Sequence, residues 1–228
     1  MNIYPIFAST LIETKFGVEE SIKKLNQICE DVEWSTNETE GSDGSRASKN
    51  KFVLEDYPEI KESLSKCFEQ VNDNILQLGG NFIITTSWFT KVTKNSFSQF
   101  HTHRNSFYSA VLYFGEYSKE QKHAPIQFEN PNADLPSHFI VPKTWNIHNC
   151  FTWDVYPSTG TLLFFPSYLR HRIGVHNDDK PRYSLSVLIE HGGSGSKVAA
   201  PLAKTLFKKI IDHHEIRKNH ESKKYLDI

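Results

Sequence analysis

Cysteine is scarce in this chain: Cys29, Cys67 and Cys150 are the three found in 228 residues, and they stand far apart. An odd, widely spaced set fits neither a disulfide framework nor a thiolate zinc site, so all three are expected as small core or half-buried residues. Net charge is scarce too. Twenty-six basic residues against 27 acidic ones leave −1, which offers no global field to draw in nucleic acid or an anionic membrane. No stretch approaches the roughly 18 uninterrupted apolar residues of a membrane-spanning helix. The first residues, MNIYPIFASTLIETKF, show no basic start, apolar run or small-residue cleavage site, so a soluble, cytoplasmic protein is expected. With 11 glycines and 10 prolines and no internal repeat, collagen-like and low-complexity structure are excluded.

What is present is an aromatic, globular composition, 38% hydrophobic and 13% aromatic. A chain of this length can bury about 70% of its unfolded surface in one core, so a single domain over 1–228 is expected. It would comprise a supporting N-terminal part (1–80), a β-rich core (81–190) and a C-terminal helical extension (191–228). Val18, Ile22, Leu25 and Cys29 follow one helical face and predict a helix over about 17–31. Residues 35–51, STNETEGSDGSRASKNK, read as a surface loop that could serve as a lid. Asp56 before Tyr57-Pro58 starts a second helix, in which Ile60, Leu64, Phe68, Val71 and Ile75 keep helical spacing until Gly79-Gly80.

Past Gly80 the pattern turns to β. NFIITTSWFTKV, FYSAVLYF, APIQFEN, SHFIVP, CFTWDVYP, GTLLFFPSYL, HRIGV and RYSLSVLIE are short runs separated by Gly, Pro, Asn and Asp. They predict an antiparallel sandwich or jelly-roll barrel with the helices on one face. After the spacer GGSGSK, Leu202, Leu206 and Ile210 predict a C-terminal helix.

Histidine, with 11 residues, is the anomaly of the composition. In an extended FHTHRN segment His101 and His103 share one side, with Asn105 on the same face, so both imidazoles can reach one metal. Some 70 residues on, GTLLFFPSYLRH places His171 behind an apolar run, where an imidazole is costly unless paired or ligating. Neutral imidazoles from separate strands suit Fe, Zn, Cu or Ni. HRIGVHNDDKPRYSLSVLIE reads as strand, turn, strand. With the turn centred on Asp178-Asp179, Arg182, Ser184 and Ser186 face the same side as His171 on a neighbouring strand, Arg182 being displaced by up to ~13 Å along it. A dicarboxylate could span that gap, one end on the metal and the other on the planar fork of Arg182 with the Ser184 hydroxyl.

Together, HTH at 101–103, the FYSAVLYF strand, GTLLFFPSYLRH at 160–171 and RYS at 182–184 resemble the Fe(II)/2-oxoglutarate-dependent oxygenase superfamily. More narrowly they are similar to a bacterial and phage branch with H-x-H, F-P-S-x-L-x-H and R-x-S motifs. The resemblance implies a double-stranded β-helix, mainly β with flanking helices, holding one Fe(II). It implies His101 and His171 as ligands, and Arg182 with Ser184 as the clamp on the 2-oxoglutarate C5 carboxylate. Ser109 and Tyr113 are candidates to line the same pocket. The implied chemistry couples oxidative decarboxylation of 2-oxoglutarate by O2, giving succinate and CO2, to oxidation of a substrate C–H bond, usually hydroxylation. One departure stands out: most of the superfamily has H-x-D or H-x-E, and here His103 occupies the acid's place. His103 is either a third imidazole ligand or no ligand at all, with Asn105 a weaker candidate for that position and for the pocket.

Two other readings stay open. A cupin-type metal enzyme shares the barrel and H-x-H but has a Glu a few residues on, where this chain has Phe107 and Tyr108; a non-catalytic jelly-roll module would keep the barrel alone. Cosubstrate binding separates the three. The other histidines, His123 and His176 among them, read as solvated or hydrogen-bonding residues, with His176 in a turn near the site mouth. Trp88 is expected to face the pocket, and Trp145 and Trp153 to sit in the core or pocket wall. Prolyl, other peptidyl and small organic substrates all suit the family, and a homodimer is compatible with a soluble enzyme.

Overall fold

Alternation along the strand Tyr108–Tyr113 sets the architecture. Ser109, Val111 and Tyr113 point one way and Tyr108, Ala110 and Leu112 the other, and both sets are covered. The protein is seen here as a computed structural model that describes residues 9–35, 44–117, 123–132 and 142–191. It divides into two compact units, residues 1–78 with 83–190 and residues 79–82 with 191–228. In the second, Phe82 meets the His191 ring edge-on at 5.5 Å, and Gly80 takes φ 101° where a Cβ would fall 1.9 Å from that ring. The expected SHFIVP strand and C-terminal helix lie outside the described residues.

In chain order the elements are β1 (Ile12–Lys15), α1 (Glu19–Glu30), β2 (Arg46–Ala47), α2 (Pro58–Val71), β3 (Phe82–Val92), β4 (Tyr108–Tyr113), β5 (Ile126–Glu129), β6 (Thr152–Val155), β7 (Thr161–Pro166), β8 (His171–Ile173) and β9 (Arg182–His191). Six strands form one sheet in the order β1-β7-β4-β9-β3-β2, and three form another, β6-β5-β8. Among the described residues no helix is long and apolar enough to cross a membrane.

The register shows why this sequence makes a jelly roll. Ser109 lies opposite Phe165 and Leu188, Val111 opposite Leu163 and Ser186, and Tyr113 opposite Ser184, which together make one face of the large sheet. In the small sheet Phe128 pairs with both His171 and Trp153, and Ile126 with Ile173 and Val155. The two inner faces meet in a cluster of Tyr113, Ile126, Phe128, Leu163, Phe165 and Leu169. The outer face of the large sheet packs on the helices: Phe68 of α2 sits 5.5 Å from Phe164 and from Tyr108. Phe164 and Phe165 are each fully buried on opposite faces of β7, and each such ring stabilises the fold by roughly 1.5–3 kcal/mol.

Three local expectations are corrected. A π turn over Asn72–Leu76 follows α2 and rephases the chain, so Ile75 leaves the apolar stripe and is exposed. Trp145 and Trp153 are exposed rather than core residues. Finally, β8 and β9 form no hairpin: β8 pairs with β5 in the small sheet and β9 with β4 in the large one. The turn between them carries the chain across the barrel. Gly174 makes the crossing possible, since its N–H donates to Pro125 O at 2.9 Å and a Cβ there would crowd the Pro125 ring at 3.1 Å.

Candidate active site and metal centre

His171 opens β8, and its backbone exchanges two hydrogen bonds with His101, at 2.9 and 3.1 Å. The segment around His101 thereby runs antiparallel along the free edge of β8. Ser98 N donates to Ile173 O at 3.0 Å, and His176 N to Ser96 O at 2.9 Å. His103 lies beyond the ladder, its N–H given to Ser167 O at 3.0 Å. Ser167 is held in turn by its hydroxyl, 2.6 Å from Ser106 Oγ and 2.8 Å from Ser109 Oγ. This buried serine chain fixes the loop that presents His103, and sequence reading gave Ser106 and Ser167 no part in the site.

The result is a triad of imidazoles. His101, His103 and His171 each offer a nitrogen within 4.8 Å of the others, with ring centroids 4.4 to 5.1 Å apart. Two of the rings are oriented by the backbone: His101 Nδ1 lies 2.9 Å from Gln99 O and His171 Nδ1 2.9 Å from Leu169 O. With those Nδ1–H groups donated to carbonyls, each Nε2 lone pair is left for a metal. Burial, aided by the neighbouring His101, lowers the His103 pKa to about 4 and that of His171 to about 3, so both are neutral donors at physiological pH. Phe165 packs against His171 at 4.8 Å, and Trp88 lies edge-on to His103 at 5.5 Å.

A cavity of about 510 Å³ opens beside the triad, lined by the three histidines, Trp88, Ser109, Tyr113, Arg182, Ser184 and others. Asn105 stands exposed in a turn and does not line it. At the end away from the triad Arg182 is buried, with only 7% of its surface exposed. Its guanidinium pairs with the Asp178 carboxylate, and Nη1 donates to Pro181 O at 3.2 Å. Its Nε is buried with no hydrogen-bond partner. The Lys180 N–H and the Arg182 charge hold Asp178 below the usual carboxylate range. Asp178 was read from sequence only as a turn residue, and its aspartate-turn position masks this second role. His176 and His123, expected to be solvated or hydrogen-bonding, are buried in the cavity wall at this end, where His176 Nε2 lies 2.9 Å from Lys180 O. Burial drives the Tyr113 phenol well above its usual pKa.

With the fold and this geometry established, the comparisons are specific. Residues 86–187 match the family model described as "Putative 2OG-Fe(II) oxygenase". The matched stretch runs from within β3 to within β9 and carries the triad and Arg182. Among solved structures, the chain is similar to a Pseudomonas putida prolyl-4-hydroxylase, with TM-score 0.56 and 15% identity over 82% of this chain and 95% of that one. It is also similar to HygX from Streptomyces hygroscopicus, solved with nickel, 2-oxoglutarate and hygromycin B, with TM-score 0.56 and 10% identity over 81% and 84%. A third is the prolyl hydroxylase from Trichoplax adhaerens in complex with a hypoxia inducible factor oxygen degradation domain peptide fragment, with TM-score 0.54 and 13% identity over 79% and 83%. No curated protein sequence matches the chain. The distant structures show the shared fold.

Proposed function

We propose that the chain is a non-haem Fe(II)- and 2-oxoglutarate-dependent dioxygenase that hydroxylates a C–H bond of an organic or peptidyl substrate. One observation carries the reading: three imidazoles gathered within 4.8 Å share a cavity wall with a buried arginine. His101, His103 and His171 would hold the iron, His103 standing where most relatives place an acid. Imidazole nitrogen is a suitable donor for iron, and carbonyl-oriented rings are what an imidazole metal site needs. Bound there, Fe(II) supplies the redox chemistry by which 2-oxoglutarate and O2 become succinate and CO2, the second oxygen atom entering the substrate as hydroxyl.

The chain's own residues bind, orient and exclude water. Arg182 and Ser184 would take the C5 carboxylate of 2-oxoglutarate, the buried Nε and the Ser184 hydroxyl being the donors nearest to hand. Tyr113 lies directly opposite Ser184 on β4 and walls the same end, as a neutral phenol. Ser109 lines the cavity while its hydroxyl holds Ser167. Phe128 and Phe165, packed on His171, would keep bulk water from that side of the triad. Trp88 faces the substrate side next to His103. The prolyl hydroxylases among the similar structures support a peptidyl target, and HygX supports a small organic one.

The test is conversion of 2-oxoglutarate to succinate, followed by NMR under air with Fe(II) and a reductant. Wild type is expected to form succinate, even slowly, and His171→Ala none. Succinate formation undiminished in His171→Ala, or none by wild type with iron bound, contradicts the proposal and favours a metal enzyme that does not use 2-oxoglutarate.

A further inference from the structure

The cavity wall is one-sided in charge beyond the arginine at its buried end. Among the described residues that line it there is no aspartate or glutamate, while Arg182, Arg46 and Lys51 are cationic. Arg46, on the short β2 opposite Lys91, and Lys51, on the loop after it with its carbonyl accepting from Ser87 N, both line the cavity with exposed side chains. Lys51 Nζ lies 6.0 Å from the centroid of Trp88, and Trp88 lies 5.5 Å from that of His103, so the ammonium sits two ring contacts from the triad.

Nearby cations have acid partners. Lys24 pairs with Glu59, Lys49 with Glu33 and Lys61 with Glu55. Among the described residues neither Arg46 nor Lys51 pairs with a carboxylate, although Lys49, two residues before Lys51, does. Partial burial lowers the Lys51 pKa, as expected of an ammonium that has lost water without gaining an anion.

The chemistry of the triad strengthens the point. A divalent metal on three neutral imidazoles keeps its full charge of two, and 2-oxoglutarate as a dianion offsets that charge alone. With Arg182 offset by Asp178, the rim cations Lys51 and Arg46 then leave the cavity positive. A cationic substrate would meet no counter-charge here, whereas an anionic one would complete an arrangement already in place.

We propose that the substrate carries an anionic group, a carboxylate or a phosphate, that docks on Lys51 with its apolar body against Trp88, Arg46 farther along the same wall adding to the positive field. This rests on the oxygenase reading for where the target C–H bond lies. The group would enter from the rim, leaving Arg182 to the cosubstrate.

The test is calorimetric titration of protein loaded with zinc, a redox-inert substitute, and saturating 2-oxoglutarate. The probes are phenylacetate, phenyl phosphate and the neutral phenylacetamide. The anions are expected to bind at least about 10-fold tighter than the amide, and the better of the two identifies the group as carboxylate or phosphate. Combined Lys51→Gln and Arg46→Gln should abolish the preference with unchanged thermal melting, and Lys51→Glu should turn it toward benzylamine. Equal or absent binding of charged and neutral probes, or a preference that survives the double substitution, overturns the proposal. Failure of 2-oxoglutarate to bind the zinc protein contradicts the oxygenase reading instead; the same probes on Arg182→Ala, where the rim cations stand alone, then decide the anion preference separately.

Discussion

The two ends of the cavity hold their polar groups by opposite means. At the triad end three imidazole rings converge, two of them oriented by backbone carbonyls, with His101 exposed and His171 buried. At the other end one permanent charge, Arg182, is buried and balanced by Asp178 four residues before it. Neutral donors can be gathered without a counter-charge, because a buried imidazole gives up its proton instead of being stabilised as a cation. A guanidinium cannot, so it must bring an acid of its own. The first arrangement leaves lone pairs free, and the second leaves the Arg182 Nε–H as an oriented, unpartnered donor.

Breaking the first end should have the largest effect. His171→Ala removes the most buried ring, and Fe(II) affinity measured by competition with a chelator should fall by more than the roughly 10–100-fold that outer-shell changes cost. At the other end, Arg182→Ala should weaken 2-oxoglutarate by roughly 10–100-fold, from loss of a charged hydrogen-bond pair of about 1.5–3 kcal/mol, while metal binding stays as in wild type. Unchanged cosubstrate affinity would remove Arg182 from the site. Asp178→Asn keeps the shape but removes the balancing charge. It should raise the KM for 2-oxoglutarate by about fivefold, the equivalent of ~1 kcal/mol, with kcat little changed and Asp178→Glu restoring most of the loss. An equal fall in kcat would mean that Asp178 acts beyond holding Arg182.

The smallest effect concerns pH. Burial lowers the folded pKa of His103 and His171 below their ordinary value of 6.5, so between those values the unfolded chain binds more protons. Stability of the metal-free protein should be full above pH 6.5 and decline as pH falls toward 4 and then 3. Thermal melting of wild type against His103→Asn should show a shallower acid loss in the variant; identical profiles would contradict the reading of His103 as a buried neutral ring.

Much of this was legible in the sequence because strand periodicity is strict. The alternation of FYSAVLYF placed Ser109 and Tyr113 on one side, and the apolar run before His171 marked a buried ring. What was not legible depended on connections. The segment from His171 to Arg182 looks like a hairpin, since both flanks are β and the turn is rich in Asp; only the pairing of β8 with β5 shows that it crosses between sheets. Ile75 kept helical spacing on paper, but a single π turn rephased it. His176, Asp178 and Lys51 occupy turn and loop positions, where polar residues are the ordinary choice, so nothing local distinguishes them until the fold brings the cavity to them.

The central claim, that the triad holds iron while Arg182 holds the cosubstrate, is tested most directly by anaerobic titration of 2-oxoglutarate into Fe(II)-loaded protein, following the visible charge-transfer absorption of a chelated 2-oxo acid. The account predicts a saturable band in wild type, none in His171→Ala, and in Arg182→Ala a band that saturates only at concentrations roughly 10–100-fold higher. Bound iron without a band in wild type would contradict it.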